Sequence, residues 1–287
     1  MCVTEAFELV RLNNGVQSIR ELAIGETMHP GLGPAAEAEV LYVKQLRLVE
    51  RLRAHEGEFV VWDVGLGAAA NALGVLRAAR GCDAALRLVS FDHSKELLRF
   101  AIGHAADLGY LEEFLEPLRE LVGKQAASFT DNGLRVTWQF IVSDFPSWLR
   151  GPEVACMPKP HAILFDPYSP ARNPAMWTAS LFASLFAALD PARPCALATY
   201  SRSTMTRVAL LLAGFHTGVG HATGLKEETT LAANTPALVE ELLGQPWLER
   251  VQRSGGAEPL LEAVYRQAAL SPETWVRLLE HPQFRKA

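Results

Sequence analysis

The sequence has few cysteines, no long apolar run and no excess of positive charge. Its four cysteines are scattered without a CxxC pair or metal-ligand spacing, so we expect reduced packing thiols and no metal site. The most apolar stretch, residues 182–200, is interrupted by charged residues and prolines, which argues against a membrane-spanning helix. The net charge of −5 gives no global attraction for nucleic acid.

The remaining bulk properties are those of an ordinary globular chain. The 287 residues, 49% of them hydrophobic, suffice for one large domain or for one domain with additions. The first residues include an acid and no apolar segment, so we expect no signal peptide and a cytoplasmic location.

Strands and helices alternate through the middle of the chain, the pattern of a parallel α/β sheet. Buried strands are predicted at residues 59–64, 86–91, 134–142, 162–165 and 194–200. Helices are predicted at residues 68–79, 95–108, 111–123, 174–189 and 204–213. Two closing strands, residues 216–221 and 229–232, are expected to form a hairpin around Gly224.

The two ends of the chain are predicted to be additions to this sheet. Residues 7–24 have the pattern of a β-hairpin around Asn13-Asn14-Gly15, followed by a Gly- and Pro-rich loop and a helix over 35–54. Helical patterns return at 236–243 and 272–279. We therefore divide the chain into an N-terminal extension (1–57), a central domain (58–232) and a helical C-terminal appendage (233–287).

A glycine loop follows the first strand of the central domain. Asp63 precedes Gly65 and Gly67, and a helix containing Asn71 follows them. Glycine permits a tight turn and a close approach of the backbone to a ligand. The spacing fits the loops that bind dinucleotides and also those that bind S-adenosylmethionine, so it leaves the cofactor open.

Acids follow three later strands. Asp92, with His93 beside it, ends the second strand at a position where a carboxylate can accept hydrogen bonds from ribose hydroxyls. Asp144 follows the third strand, where it could meet an adenine amino group with Phe145 against the ring. Asp166 follows the fourth. Each acid alone is more often a helix or turn cap, but together they predict a ligand site at this sheet edge.

The fourth strand ends in a motif longer than a cap requires. Residues 161–170 run from an apolar strand into Asp166, Pro167, Tyr168, Ser169 and Pro170. The prolines stiffen the turn, which places a carboxylate and an aromatic ring over the predicted site.

Three segments together resemble a known family, the MnmC-like methyltransferases that complete 5-methylaminomethyl-2-thiouridine at the wobble position of bacterial tRNA. Residues 166–177, DPYSPARNPAMW, match a long motif of that family. Residues 198–215 resemble its fifth strand and following helix, and residues 25–30, GETMHP, resemble its Glu-x-(Met/Tyr)-His loop. The likeness spans roughly residues 10–232 and is to the form without a flavin-dependent oxidase domain.

This resemblance implies a Rossmann-like class I methyltransferase sheet, mostly parallel, with seven strands and an antiparallel last strand. It also implies S-adenosylmethionine as the cofactor and the anticodon loop of tRNA as the partner. The implied reaction is attack of a primary amine on a sulfonium methyl group, with Asp166 accepting or polarising a proton and Tyr168 stacking on the uracil. A backbone carbonyl of the Pro167 turn would be a second acceptor.

We assign the remaining site residues on the same basis. Cofactor binding is assigned to Glu26, Asp63, Gly65, Gly67, Asn71, Asp92, His93, Asp144 and Phe145. Substrate binding is assigned to Met28, His29, Pro167, Arg172, Arg207 and Lys226.

Three other functions remain open at this point. The chain could methylate a different amine with the same fold. It could be an NAD-dependent oxidoreductase, for which the sequence supplies no distinctive hydride-acceptor site. It could also be an inactive RNA-binding member, since the family's usual glycine loop has become Gly65-Leu66-Gly67-Ala68-Ala69-Ala70.

Overall fold

The structure, a computed structural model, describes residues 6–223 and 227–285. Near its start, three antiparallel strands form a small sheet: β1 (Phe7–Arg11), β2 (Gln17–Glu21) and β3 (Glu26–Thr27). The β1–β2 pair is the hairpin that the sequence predicts, with Gly15 at φ +85° in its turn. The short β3 lies in the Gly- and Pro-rich segment, where we expected no regular structure.

A mixed eight-stranded sheet forms the centre of the described part of the chain. Its strands are β4 (Glu58–Val64), β5 (Ala85–Asp92), β6 (Ala126–Asp131), β7 (Leu134–Val142), β8 (Ala162–Phe165), β9 (Ala196–Thr199), β10 (His216–Gly220) and β11 (Thr229–Ala233). Their spatial order is β10-β11-β9-β8-β4-β5-β7-β6.

The order and direction of these strands confirm the predicted Rossmann-like class I sheet. Strands β4, β5, β7, β8 and β9 are mutually parallel, and the last strand, β11, runs antiparallel to β9. Parallel strands bring their carboxyl ends to one edge, so the loops after β4, β5, β7, β8 and β9 meet there.

Strand β6 is an eighth strand that we did not predict. It pairs antiparallel with β7 through a tight turn at Asn132-Gly133, both with positive φ (47° and 90°). An Asn-Gly pair between two strand-like runs is a strong hairpin signal, and it was present in the sequence. The alternating exposure of β6 is that of an edge strand rather than a buried one.

Helices cover both faces of the large sheet. They are α1 (Pro34–Ala38), α2 (Leu48–Arg53), α3 (Ala70–Ala79), α4 (Glu96–Gly103), α5 (Ala105–Leu108), α6 (Leu115–Lys124), α7 (Phe145–Leu149), α8 (Ala179–Ala187), α9 (Thr204–Ala213), α10 (Gln245–Gln252) and α11 (Pro272–Leu279). Strand β4 shows the two-sided burial: Phe59 and Val61 enter the core beneath α1–α6, while Val60 and Trp62 enter the core beneath α7–α9.

The single helix predicted over 35–54 is wrong. Between α1 and α2 the chain forms a π-helical segment, Glu39–Lys44, and Arg47 adopts a left-handed conformation (φ 50°). Within this segment the consecutive side chains of Leu41, Tyr42 and Val43 are all buried. The Tyr42 phenol lies 3.5 Å from the carbonyl of Phe165, at the carboxyl end of β8.

Another predicted helix begins later than expected. The segment predicted as a helix over 174–189 begins as a 3₁₀ turn, Pro174–Trp177, and becomes α-helical only after Thr178. The Thr178 hydroxyl accepts the amide of Leu181 at 3.2 Å, which makes it the N-cap. The predicted hairpin turn around Gly224 lies outside the described residues, although β10 and β11 pair antiparallel as expected.

The C-terminal segment is less helical than predicted. The helix expected over 236–243 is only a 3₁₀ turn, Pro236–Leu238, and Leu242 instead bridges to Gly218 of β10. The described residues after β11 contain two α-helices, α10 and α11. They pack on Val208 and Leu211 of α9 through Trp247 and Leu278.

Among the described residues, no helix combines the length and the apolar character needed to cross a bilayer. The thiols of Cys82 and Cys195 are buried, as expected for packing residues, whereas Cys156 is exposed.

Candidate active site

The glycine loop after β4 is shaped by two left-handed glycines. Gly65 has φ +92°, and a Cβ there would lie 2.6 Å from the carbonyl oxygen of Asp166. Glycine is therefore required for the loop after β4 to pack on the loop after β8. At Gly67 (φ +54°), such a Cβ would make only ordinary van der Waals contacts, with Leu97 at 3.8 Å and Met28 at 3.9 Å, so no close approach excludes a side chain there.

Asp92, at the end of β5, holds this loop in place. Its Oδ2 accepts the amide of Gly67 at 2.9 Å, and its Oδ1 accepts the amide of His93 at 2.7 Å. The His93 ring is 68% exposed and lies 3.0 Å from Oδ1, a hydrogen bond that raises the pKa of this histidine. The carboxylate thus links the end of β5 to the backbone of Gly67.

Asp63, the penultimate residue of β4, is fully buried beneath the same loop. Burial raises its pKa to about 7, against the effect of the Ser90 hydroxyl, which donates to Oδ2 at 2.8 Å. Ser90 accepts in turn from the Trp138 indole at 2.9 Å. Within the described residues the other oxygen, Oδ1, has no hydrogen-bond partner. A buried polar atom left in this way is a common feature of ligand sites.

Asp166 is the centre of a polar cluster at the end of β8. Its Oδ2 accepts the side-chain amide of Asn71 at 2.7 Å, and Nε2 of His29 lies 3.8 Å from the same oxygen. The Tyr42 phenol lies beside it: burial raises the pKa of Tyr42 well above its usual range, and the Asp166 charge raises it further. The carboxylate is 14% exposed. It is held by neighbours from three segments and still reaches solvent.

The small N-terminal sheet anchors the loop that carries Asp166. Glu26 accepts the amide of Ser169 at 3.2 Å and also accepts its hydroxyl. Glu21 accepts the phenol of Tyr168, whose carbonyl accepts the Trp177 indole at 2.8 Å. Burial, together with the Glu21 hydrogen bond, raises the pKa of Tyr168 above its usual range. The half-buried Tyr168 ring is therefore fixed in orientation.

Several predicted site residues have other roles in this structure. Phe145 is only 4% exposed and packs against Phe91 and Trp148, so the expected contact with an adenine ring is wrong. Asp144 is the N-cap of α7 and accepts the amide of Ser147 at 3.0 Å. The carbonyl of Pro167 already accepts the Tyr200 phenol at 3.0 Å.

The basic residues predicted to contact substrate do not form one surface. Arg207 is 2% exposed and is internal: its guanidinium donates to Glu228, Thr229 and Thr230 at 2.8–3.0 Å. The predicted substrate contact by Arg207 is therefore wrong. Arg172 is exposed, and its guanidinium lies close to Gly25. Lys226 lies outside the described residues.

Sequence reasoning missed Tyr42, Glu21 and Glu37 as members of this region. Tyr42 sits in an apolar helical stretch, and nothing in its spacing indicates a polar role. Glu37 of α1 accepts Nδ1 of His29 at 3.3 Å and the amides of Gly31 and Leu32 at 3.0 and 3.1 Å. In the sequence, Glu37 is only an acid shortly after a Gly- and Pro-rich loop, which is a weak indication of helix capping.

Comparisons with known proteins decide between the cofactors that the glycine loop left open. A family model described as S-adenosyl-L-methionine-dependent methyltransferase matches residues 109–235. The crystal structure of MNMC2 from Aquifex aeolicus superposes with a TM-score of 0.68 at 20% identity, covering 96% of this chain and 83% of that one.

The curated relatives include much longer proteins. The tRNA 5-methylaminomethyl-2-thiouridine biosynthesis bifunctional protein MnmC of Aeromonas hydrophila is 29% identical over 238 residues, 75% of this chain and 33% of the relative. The protein of the same name from Burkholderia mallei is 28% identical over 206 residues, 67% of this chain and 30% of the relative. The chain spans about a third of the length of these relatives.

The sheet order is that of the class I methyltransferase fold. The match of residues 109–235 to the S-adenosyl-L-methionine-dependent methyltransferase family implies S-adenosylmethionine as the cofactor, and the chain is similar to the MnmC proteins, as its sequence motifs indicated.

Proposed function

We propose that the chain transfers a methyl group from S-adenosylmethionine to the primary amine of 5-aminomethyl-2-thiouridine at the wobble position of tRNA. The observation that carries the proposal is the Asp166 carboxylate, partly open to solvent and held by Asn71 beside His29 and Tyr42. A carboxylate in this position suits a substrate that arrives as a cation and must lose a proton. The names of the MnmC relatives supply the nucleoside.

The residues around the glycine loop suit the cofactor. Gly67 has no neighbour closer than van der Waals contact on its Cβ side, Asp63 has an oxygen without a partner in the described residues, and Asp92 supplies a carboxylate at the end of β5. We assign these groups to S-adenosylmethionine, with Asp92 toward the ribose hydroxyls and Asp144 toward the adenine side. When bound, the cofactor supplies an electrophilic methyl group on a sulfonium.

The chain's own part in the reaction is to orient the amine and to take its proton. Asp166 accepts the proton as an N–H bond of the ammonium breaks, which frees the lone pair that would bond to the methyl carbon. The carbon–sulfur bond of the cofactor would break at the same time, and its electron pair would stay on sulfur. Asn71 keeps the carboxylate in place while this happens. Tyr168, fixed by Glu21 and Trp177, provides a flat surface on which the uracil can stack, worth about 1–3 kcal/mol.

The direct test is methyl transfer from labelled S-adenosylmethionine to two tRNA samples, one bearing 5-aminomethyl-2-thiouridine and one bearing unmodified uridine at the wobble position. We expect label in the first sample only, located by nucleoside analysis. Absence of transfer to the aminomethylated tRNA under conditions in which S-adenosylmethionine binds would refute the proposed substrate.

A specific observation favours one second candidate, a methyltransferase for a different amine. Of the three basic residues assigned to substrate, Arg207 is internal and Arg172 is exposed, while carboxylates line the cluster around Asp166. Arg172→Glu separates the candidates: if tRNA is the substrate, the variant should bind it less tightly and with a shallower salt dependence. A small amine substrate would leave turnover unchanged in this variant.

A further inference from the structure

His29 stands out by its backbone as well as by its partners. Its φ is +45°, a left-handed conformation that non-glycine residues rarely adopt and that tends to persist where the surrounding structure enforces it. The ring lies between two carboxylates, with Nδ1 3.3 Å from Glu37 Oε2 and Nε2 3.8 Å from Asp166 Oδ2. Both carboxylates are mostly buried, at 12% and 14% exposure.

Glu37 sets the tautomer of this histidine. Burial raises the pKa of Glu37, but hydrogen bonds from His29 and from the amides of Leu32 and Gly31 outweigh it and leave the pKa lowered. An ionised Glu37 can only accept, so the proton between the two residues is on Nδ1 of His29. In the neutral ring, Nε2 then carries the lone pair, 3.8 Å from Oδ2 of Asp166.

We infer that His29 is a positioning residue that receives, on Nε2, the proton that Asp166 takes from the amine, and that Glu37 holds the ring for this transfer. The inference rests on the proposed function. An N–H bond of the substrate ammonium breaks, Asp166 takes the proton, and it passes on to Nε2. Asp166 is thereby returned to its charged form, and the imidazolium is stabilised between Glu37 and Asp166.

The distance allows this transfer after a small adjustment. At 3.8 Å the Nε2–Oδ2 separation is too long for a direct hydrogen bond. A movement of about 1 Å, or one bridging water, completes the contact. The other titratable groups facing the pair are Tyr42 and Tyr200, each beside Asp166, and the buried Asp63. Both phenols are neutral because their pKa values are raised, and they donate to the carbonyls of Phe165 and Pro167, so they do not compete for the proton.

The test compares His29→Gln and Glu37→Gln with the wild type by the pH dependence of kcat on aminomethylated tRNA. Glutamine at position 29 keeps hydrogen-bonding groups but cannot take a proton, and glutamine at position 37 keeps an acceptor for the loop amides. We expect kcat to fall about tenfold or more at pH 7 in His29→Gln, with a smaller loss in Glu37→Gln. The deficit should shrink as the pH rises toward 9.5, because a growing fraction of the amine is then neutral before it binds.

Two controls separate this role from a structural one. The affinity for S-adenosylmethionine should be unchanged in both variants. Glu39→Gln removes a half-exposed carboxylate that lies two residues after Glu37 and pairs with Lys44. This variant should behave as the wild type. A deficit that is constant across pH, or absent, overturns the inference while leaving the proposed reaction in place.

A measurement that needs no turnover tests the His29 arrangement even if the proposed reaction does not occur. If the wild-type protein methylates no aminomethylated tRNA, the ¹⁵N shifts of the His29 ring in the S-adenosylhomocysteine complex still test the arrangement. In the wild type we expect the neutral His29 ring to carry its proton on Nδ1. In Glu37→Gln this tautomer should no longer dominate, and in Asp166→Asn the Nε2 signal should change. A neutral ring protonated on Nε2 in the wild type would overturn the inference.

Discussion

At the scale of single residues, the burial of Asp63 lowers the stability of the folded protein in a pH-dependent way. The side chain is fully buried with one hydroxyl donor, and its pKa is raised to about 7. An unfolded aspartate ionises near 3.8, so the folded state holds the proton over a wider range of pH than the unfolded state. The resulting penalty on folding is absent below the unfolded pKa, grows as the pH rises and is complete above about 7.

Asp63→Asn should therefore remove a pH-dependent penalty. Relative to the variant, the wild-type protein should lose roughly 2 kcal/mol of unfolding free energy between pH 5.5 and 8.5, since one pKa unit corresponds to about 1.4 kcal/mol. Denaturant unfolding at both pH values measures this difference. Asp107→Asn, at an exposed position, is the control, and parallel pH curves for wild type and Asp63→Asn would contradict the assignment.

A position at a strand end predicts where a residue's backbone lies but not where its side chain points. Asp166, Gly65 and Asp92 were predictable because a strand end fixes where the backbone lies and which groups approach it. The sequence could not give the side-chain direction. Phe145 follows a strand end yet turns into the aromatic cluster, and Arg207 lies on the inner face of α9, where Glu228 neutralises it.

At the scale of elements, the small N-terminal sheet carries more of the site than a hairpin extension suggests. Its second and third strands supply the carboxylates of Glu21 and Glu26 to the loop after β8, and Met28 approaches Gly67. The hairpin was predictable from Asn-Gly and alternating residues. Its docking was not, because contacts between residues about 145 positions apart leave no local pattern.

Glu26→Ala should loosen the Asp166 loop without unfolding the sheet. The substitution removes the acceptor for both the amide and the hydroxyl of Ser169. Hydrogen bonds to charged groups contribute about 1.5–3 kcal/mol, so amide exchange at Ser169 should accelerate roughly tenfold to a hundredfold. Hydrogen exchange resolved to residues 166–172 measures this, with Glu8→Ala on β1 as the matched control. Equal protection in both variants would mean that the loop is held by other contacts.

At the scale of the whole molecule, the C-terminal segment closes the sheet's far edge rather than forming a separate helical unit. The side-chain amide of Gln283 accepts the amide of Thr217 and donates to the carbonyls of Thr217 and Leu243, all at 2.8–2.9 Å. Trp247 stacks on Phe284 nearby. The helices of this segment were partly predictable from periodicity. The hydrogen bonds of the Gln283 side chain to the backbone at the sheet edge were not.

Gln283→Ala should destabilise the fold and leave the site intact. The change leaves the Thr217 amide and the Leu243 carbonyl without a partner, while the Thr217 carbonyl keeps the amide of Leu243 at 3.0 Å. We expect a loss of about 1–3 kcal/mol in unfolding free energy. Denaturant unfolding measures the loss, and calorimetry with S-adenosylmethionine should give an unchanged affinity. Gln252→Ala, at an exposed position of α10, is the control. A weakened cofactor affinity in a stably folded Gln283→Ala protein would place this edge in communication with the site.

In the proposed reaction, Asp166 acts on the amine and not on the cofactor. Single-turnover methyl transfer by Asp166→Asn, measured beside its affinity for S-adenosylmethionine, tests this role most directly. Asparagine keeps the volume and an acceptor oxygen but cannot take the proton. We expect near-native cofactor affinity and a rate lowered by about 10²–10⁴ at neutral pH. Near-native turnover, or a loss explained by weakened cofactor binding, would contradict it.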